Sequence, residues 1–203
     1  MKKLLLLSLF ICLGLTQTMA QRLRYGASAG MNLTWGHGGF NECQAGLRAG
    51  LAAQFNISHG WYASTVLQIS SRNYKSGDYL NDENTLYYKE NLNYVELPIH
   101  LGYAVNCSKN VKLLFEAGPY FAVGAWGKST SFYNGREQTG TTSFSDMHLR
   151  RFDWGLGLSV GTELFRHYQL KVGYDHGMMD RNKYKGGPQP KNKQFNVSLT
   201  YLF

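Results

Sequence analysis

One stretch of strict alternation, residues 93–105, limits what this chain can fold into. Every second residue from Val95 is apolar or aromatic, and the residues between them are polar, small or chargeable. A period of two is typical of a β-strand with one apolar and one polar face. The polar face carries a carboxylate, an imidazole, a proline and a glycine, so we expect it to look into a crowded, wet space: Glu96, His100, Pro98 and Gly102.

The same alternation recurs in seven further segments, which predicts eight strands in all. Most segments are about 9–13 residues long, the length that a tilted strand needs to cross the hydrocarbon core of a bilayer. Because each unpaired backbone group in lipid costs several kcal/mol, spanning strands must close into a barrel. The seven other segments are residues 23–33, 45–57, 61–72, 111–125, 152–164, 168–176 and 195–203.

The connections between these segments alternate between short and long. Short connections fall at residues 58–60, 106–110 and 165–167, and long ones at 35–42, 75–92, 127–151 and 177–194. Short periplasmic turns and long extracellular loops are typical of bacterial outer-membrane barrels, and an even strand number leaves both termini on one side. We predict an all-β protein, an eight-stranded antiparallel up-and-down transmembrane β-barrel formed by residues 21–203.

The position of the charges separates this fold from a soluble eight-stranded barrel of the lipocalin kind, which would place bulky apolar residues inside and charges outside. Here the charges share the face that is rich in glycine and serine. A lone cation near the middle of the lipid face would cost about 2–4 kcal/mol. We therefore predict that these charges face one another in the lumen: Arg48, Glu96, Lys112, Glu116, Asp153, Glu163, Lys171 and Asp175.

Residues 1–20 predict a secretory signal peptide. Lys2 and Lys3 precede a mostly apolar run, residues 4–15, which is too short for a spanning helix. Small residues at positions 18 and 20 predict cleavage after Ala20, and an uncleaved anchor is the alternative. The composition, with 14 Tyr, 11 Phe and 23 Gly but only 17% charged residues, suits a membrane barrel, because only alternate residues must be apolar. The predicted location is the bacterial outer membrane.

Several short motifs resemble the PorT-like outer-membrane β-barrel family of Bacteroidota-type bacteria. The resemblance spans residues 23–203 and implies an outer-membrane barrel. It implies no particular activity, because members of that family need not share PorT's role in secretion. The closing Tyr201 and Phe203 resemble the signal read by the outer-membrane assembly machinery. The motifs are Tyr94-Val95-Glu96-Leu97-Pro98-Ile99, Gly102-Tyr103, Gly118-Pro119-Tyr120, Asp153-Trp154-Gly155-Leu156 and Tyr201-Leu202-Phe203.

The lumen charges allow two interpretations. An ion or proton path is one, and a structural salt-bridge network is the other, which we favour because eight strands leave room for little beyond side chains. The six histidines have no metal-ligand spacing, so we expect no metal and no cofactor. His37 and His148 are predicted on outer loops, where an enzyme acting on lipid or peptide would hold a catalytic histidine. No partner residue follows from their spacing, and we expect no enzyme.

The last predicted loop is basic, and it predicts contact with the phosphates of lipopolysaccharide through attraction that weakens with salt. A merely solvated loop is the alternative. The basic charge has no interleaved stacking motif, so we expect no nucleic acid as a partner. The residues of this predicted lipid contact are Arg181, Lys183, Lys185, Lys191 and Lys193.

The remaining expectations concern assembly and role. Cys43 and Cys107 are predicted at opposite ends of the barrel, beyond the reach of a disulfide. We expect a monomer with a structural or interaction role, whose extracellular loops meet a partner, surface glycan or lipid. A surface or periplasmic protein is a further candidate partner. A narrow pore for small solutes or ions is the alternative.

Overall fold

Nine strands run through the part of the chain that the structure describes. The computed structural model describes residues 22–35, 43–80, 84–133, 136–141, 144, 149–181, 183 and 191–203, so the predicted signal peptide lies outside it. In this part of the chain, no helix is long and apolar enough to cross a bilayer. The strands are β1 (Leu23–Trp35), β2 (Gln44–Ser58), β3 (Trp61–Leu80), β4 (Asn84–Asn106), β5 (Val111–Tyr133), β6 (Arg136–Thr141), β7 (Phe152–Leu164), β8 (Tyr168–Asp180) and β9 (Lys191–Leu202).

Eight of these strands close into a ring. Their order is β4-β3-β2-β1-β9-β8-β7-β5, and pairing between β4 and β5 closes it, with every neighbouring pair antiparallel. The ninth strand, β6, pairs with the far end of β5 and stands outside the ring. The predicted eight-stranded antiparallel barrel is confirmed.

The two faces of each strand differ as the alternation predicts. Outward side chains are apolar and open to the surroundings: Leu51 is 71% exposed and Leu158 is 57% exposed. Inward side chains are polar and buried, with Glu96 at 1% exposure. The transmembrane wall is therefore apolar outside and polar inside, the arrangement that lipid demands of a spanning barrel.

Aromatic side chains gather at both ends of the outer wall. At the periplasmic end, Trp61 and Tyr103 have ring centroids 5.1 Å apart, and Tyr201 packs on Tyr168 at the same distance. At the extracellular end, the rings of Trp35 and Phe195 are 5.0 Å apart. Such girdles sit at the level of the lipid headgroups.

The periplasmic turns are short, as predicted. The connection between β2 and β3 is the pair His59-Gly60, with φ angles of 52° and 88°. Two consecutive residues with positive φ form the mirror-image turn that matches the twist of a hairpin, and glycine adopts this conformation without strain. The turns at residues 107–110 and 165–167 complete this end of the barrel.

The predicted extracellular loops are wrong in part, because strands occupy much of them. Within residues 75–92, β3 continues to Leu80 and β4 begins at Asn84, while β5 extends to Tyr133 and pairs with β6 within 127–151. Within 177–194, β8 runs to Asp180 and β9 begins at Lys191. Beyond the membrane the outward residues do not face lipid, so they need not be apolar. The hydrophobic alternation therefore stops there, although the backbone pairing of the strands continues.

The lipid-facing wall generates a depth-dependent prediction. We expect Leu158→Arg, at the middle of β7, to lower the free energy of unfolding in bilayers by about 2–4 kcal/mol, since it places a cation in hydrocarbon. Phe152→Arg, at the extracellular end of the same face, is the matched control, with an expected loss of about 0–1 kcal/mol. Urea titration of the folded fraction measures both, and equal losses would contradict the assigned membrane position.

Candidate functional site

The lumen contains equal numbers of positive and negative side chains in three layers. Five carboxylates face five cations, so the described interior is formally neutral when histidine is uncharged. Paired charges can remain ionised in a narrow space where single ones could not. The carboxylates are Glu96, Glu116, Asp153, Glu163 and Asp175, and the cations are Arg24, Arg48, Arg72, Lys112 and Lys171.

The layer nearest the extracellular mouth is centred on Arg72 of β3, whose side chain is fully buried. Its Nη2 donates to Glu96 Oε2 at 2.7 Å, and its Nη1 donates to Asp153 Oδ2 at 2.7 Å. The guanidinium carbon also lies 4.5 Å from the ring centroid of Tyr94 and 5.5 Å from that of Tyr120. One side chain thereby connects β3 with β4, β5 and β7 across the barrel.

Both carboxylates that bind Arg72 have further donors. Asp153 Oδ2 also accepts from the Tyr120 hydroxyl at 3.0 Å and from Asn192 Nδ2 at 2.8 Å. Glu96 Oε1 accepts from Arg48 Nη2 at 3.0 Å and from Gln68 Nε2 at 2.9 Å. Charge-assisted hydrogen bonds of this kind are the strong ones, and they connect six strands within this layer.

Arg48 of β2 extends this layer to the opposite wall. Its Nη1 lies 3.8 Å from Asp175 Oδ2, which accepts from Gln194 at 2.9 Å and from Asn196 at 3.0 Å. The amides of β9 therefore complete the coordination of a carboxylate that the arginine alone does not satisfy.

The middle layer is centred on Glu116 of β5. Both of its oxygens accept from Lys171 Nζ, at 3.1 and 3.2 Å, and the hydroxyls of Ser64 and Ser159 each donate at 3.1 Å. His100 Nδ1 lies 3.7 Å from the same carboxylate. This layer joins strands from both halves of the ring.

The periplasmic layer is centred on Glu163 of β7. It accepts from Arg24 Nη1 at 2.7 Å and from Gln169 Nε2 at 2.9 Å, and Lys112 Nζ lies 3.1 Å away. Arg24 also donates to the carbonyl of Arg166 in the adjacent turn. The layer ties the first strand to the turn between β7 and β8.

The space between the upper and middle layers is small. A cavity of about 50 Å³ is lined by Arg48, His100, Glu116, Lys171 and Asp175 together with mostly neutral polar residues and with Val66, Pro98 and Leu158. A polar cavity of this size holds on the order of four waters, which is far below the volume of a bound solute. Arg48 Nη1 and His100 Nε2 are both buried here without a hydrogen bond to the described residues.

An apolar cluster lies directly above Arg72 in the barrel mouth. Phe144, from the segment between β6 and β7, is 1% exposed and packs edge-on against Tyr94 at 5.4 Å. A Cβ atom at Gly124 would lie 2.4 Å from the Phe144 ring, so glycine at that position makes room for it. The full mouth cluster comprises Tyr74, Leu92, Tyr94, Tyr120, Ala122, Phe144 and Leu149.

The structure brings the predicted lumen charges together and adds two that the sequence analysis missed. Seven of the eight predicted residues are buried, while the Lys112 side chain, near the periplasmic end, is 37% exposed. The missed cations are Arg24 and Arg72, and both occupy inward positions of their strands. The alternation of residues 23–33 and 61–72 places both arginines on the polar face, so the pattern itself could have found them.

The residues of the predicted lipid contact are separated by the structure. Arg181 does not lie free on a loop: it is half-buried, pairs with Glu90, and has its guanidinium carbon 3.9 Å from the Tyr74 ring centroid. Lys183 is exposed, and Lys185 lies outside the described residues. Lys191 and Lys193 project outward from β9.

The structure shows what surrounds several of the histidines and cysteines. His167 Nδ1 lies 2.7 Å from the Leu202 carbonyl oxygen, and His176 Nδ1 lies 3.3 Å from the Tyr174 hydroxyl. His37 and His148 lie outside the described residues. Cys43 and Cys107 are free thiols near opposite ends of the barrel. No group of three or more metal-ligating side chains occurs in the described part of the chain.

Comparison with known proteins identifies the family. Residues 13–181 match the model of the outer membrane protein beta-barrel domain. The chain belongs to this family. It is an integral protein of the bacterial outer membrane. No protein of curated function matches the sequence.

Several solved barrels are similar to this one at low identity. Ail, the attachment invasion locus protein of Yersinia pestis, is 12% identical, with a TM-score of 0.40 over 90% of this chain and 99% of Ail. Neisserial surface protein A is 12% identical, with a TM-score of 0.44 over 89% and 97%. OprG from Pseudomonas aeruginosa is 10% identical, with a TM-score of 0.40 over 89% and 94%. Likeness at this level says nothing about function.

The burial of Arg72 generates the second prediction. Arg72→Met is expected to lower the free energy of unfolding by about 3–5 kcal/mol, because it leaves Glu96 and Asp153 buried without their shared cation. Glu96→Ala is expected to act in the same direction. The urea midpoint at which the folded, fast-migrating gel band disappears measures the effect.

The matched control is Arg22→Met, since Arg22 is exposed and donates only to the Ile57 carbonyl at 3.3 Å. We expect a change within about 0.5 kcal/mol for this variant. If the Arg72→Met barrel were as stable as the Arg22→Met barrel, the upper layer would not stabilise the fold.

Proposed function

We propose that the protein is a closed barrel that serves as a structural or interaction protein through its extracellular strands. The observation that carries the proposal is the double closure of the lumen by the Arg72 layer and the mouth cluster. A channel needs a continuous aqueous path, and here the space between two charged layers amounts to about 50 Å³. Opening the upper layer would break at least two 2.7 Å ion pairs made by a single buried arginine.

The extracellular strands supply the surface for such a role. The β3–β4 hairpin and the far end of β5 with β6 continue beyond the mouth cluster as paired strands. Paired strands present side chains at fixed spacing, so they offer a preorganised surface rather than one that must be ordered on binding. A surface glycan, lipid or protein is the partner class that fits this arrangement, and the barrel acts as a monomer.

The proposal also includes membership of the PorT-like subgroup. Its support is that three of the five resembling motifs meet in one place: Tyr94 and Tyr120 flank Arg72, while Glu96 and Asp153 bind it. A subgroup defined by these motifs would then be defined by its lumen closure rather than by a shared ligand.

Two further elements belong to the proposal. The outward aromatic residues at the end of β9, Tyr201 and Phe203, have ring centroids 5.3 Å apart and act as the signal for the outer-membrane assembly machinery. The protein carries out no catalysis; the support is that His100, His167 and His176 are engaged by a carboxylate, a backbone carbonyl and a tyrosine.

Electrical recording in planar bilayers tests the closed state. We expect the purified barrel to leave the bilayer current at baseline, because no aqueous path passes the Arg72 layer. A general porin inserted in the same bilayers shows that the assay detects conduction. Regular, protein-dependent current steps would favour the narrow pore and overturn the closed barrel.

A further inference from the structure

The outer wall changes character where β3, β4 and β5 rise beyond the lipid. The last apolar outward residues at this point are Ile69, Val95 and Val123, which are 41–51% exposed. The next outward positions on all three strands are polar or basic, apart from Trp126, which is 50% exposed. Tryptophan at such a boundary marks the level of the lipid headgroups.

Strand pairing arranges these outward residues as a grid of three rows. Each row runs across the three neighbouring strands, so its members are directly opposite one another. Adjacent strands are about 4.8 Å apart and successive outward residues about 7 Å apart, so the grid covers roughly 10 by 14 Å. The rows, rising from the membrane, are Ser71–Asn93–Trp126, Asn73–Asn91–Lys128 and Lys75–Lys89–Thr130.

A groove of about 430 Å³ runs over this grid. Two lysines, three asparagines and the indole line it, together with Gln44, Tyr74, Thr130 and Glu90, whose carboxylate is bound by Arg181. The cross-strand pairs place Lys75 opposite Lys89, and Lys128 sits on the next strand one row lower. Three ammonium groups at this spacing create a positive surface potential that is complementary to a bound anion.

The polar groups of the groove suit sugar hydroxyls. Asn93 Nδ2 donates to Asn91 Oδ1 at 3.1 Å, and Ser71 donates to Asn93 at 2.5 Å, which fixes both amides. Asn73 donates to the Ala45 carbonyl at 2.6 Å, but its Oδ1 is buried and has no hydrogen-bond partner among the described residues. A buried acceptor without a hydrogen bond costs about 1–3 kcal/mol, and a hydrogen bond from a ligand hydroxyl would recover that free energy.

We propose that this wall, formed by β3, β4 and β5, binds the phosphorylated sugar headgroup of an outer-leaflet glycolipid. The ammonium groups of Lys89 and Lys128 contact phosphate, the asparagine amides contact hydroxyls, and the indole of Trp126 packs on a sugar ring. The acyl chains continue down over the apolar wall below. The inference goes beyond the closed barrel, since it would hold for an open one.

The site lies far from the basic residues of β9. In the ring, β9 is four strands from β4 in either direction and therefore opposite to it. Lys191 and Lys193 project outward there, and they make a control with the same number of charges at the same end of the barrel.

Native mass spectrometry of the purified full-length barrel in neutral detergent tests the site. The probe is bis-phosphorylated lipid A, compared with dephosphorylated lipid A and with phosphatidylglycerol. We expect Lys89→Gln with Lys128→Gln to reduce the affinity for bis-phosphorylated lipid A about thirtyfold, given roughly 1 kcal/mol per basic residue near an anionic headgroup. Trp126→Leu is expected to weaken retention of both forms of lipid A, since it removes the stacking surface.

The control pair, Lys191→Gln with Lys193→Gln, is expected to retain lipid A like the unaltered barrel. A heat-dependent gel shift in every variant shows that each is folded. Equal loss in the two double variants would overturn the site, because it would reveal a general effect of charge. Equal retention of phosphatidylglycerol by the unaltered barrel would overturn the glycolipid as its ligand.

Discussion

The structure depends on the burial of one arginine between two carboxylates and two aromatic rings. Arg72 is fully buried, yet it pairs with Glu96 and Asp153 at 2.7 Å each. An isolated charge in such a place would be expelled or neutralised, whereas a cation shared by two anions is stable only as long as all three stay in register. The layer therefore fixes the positions of β3, β4 and β7 and closes the lumen at once.

Two further layers of paired charges lie between the Arg72 layer and the periplasmic end of the lumen. Glu116 and Glu163 each bind at least one lysine or arginine together with neutral hydrogen-bond donors. The described lumen therefore holds equal numbers of positive and negative side chains. The apolar mouth cluster adds a cover in which Phe144 fits against Gly124. A lumen occupied in this way leaves the outer surface as the place for interaction, which is why the proposed glycolipid site lies on the outer wall.

Sequence reasoning predicted the barrel because lipid imposes a rule that is visible in single residues. An outward position within the membrane must be apolar, so Leu51 and Leu158 reveal both the strand and its direction. Outside the membrane that rule ends, and the extensions of β3, β4 and β5 were read as loops although their backbones remain paired. Arg72 closes the polar face of the alternating segment 61–72, and its outward neighbours Ser71 and Asn73 are polar, so the apolar alternation does not continue past it.

The pairing of lumen charges follows from register, which the sequence does not contain. Glu96 and Asp153 are far apart in the chain, and only the ring order places both beside Arg72. The resemblance motifs include four of the residues around this arginine, but not the arginine itself: Tyr94, Glu96, Tyr120 and Asp153. The groove over β3, β4 and β5 likewise arises from cross-strand partners that are separated in sequence by up to 41 residues.

Access of a small thiol reagent to the Arg72 layer tests the central claim most directly. In a barrel whose exposed Cys43 and Cys107 are replaced by serine, Ala122→Cys places a thiol beside Glu96 and Asp153, and Ala125→Cys places one at an exposed position of the same strand. A sealed lumen predicts that a methanethiosulfonate reagent modifies Cys at 125 in the folded barrel and modifies Cys at 122 only after unfolding. Equal modification rates at the two positions in the folded barrel would contradict it.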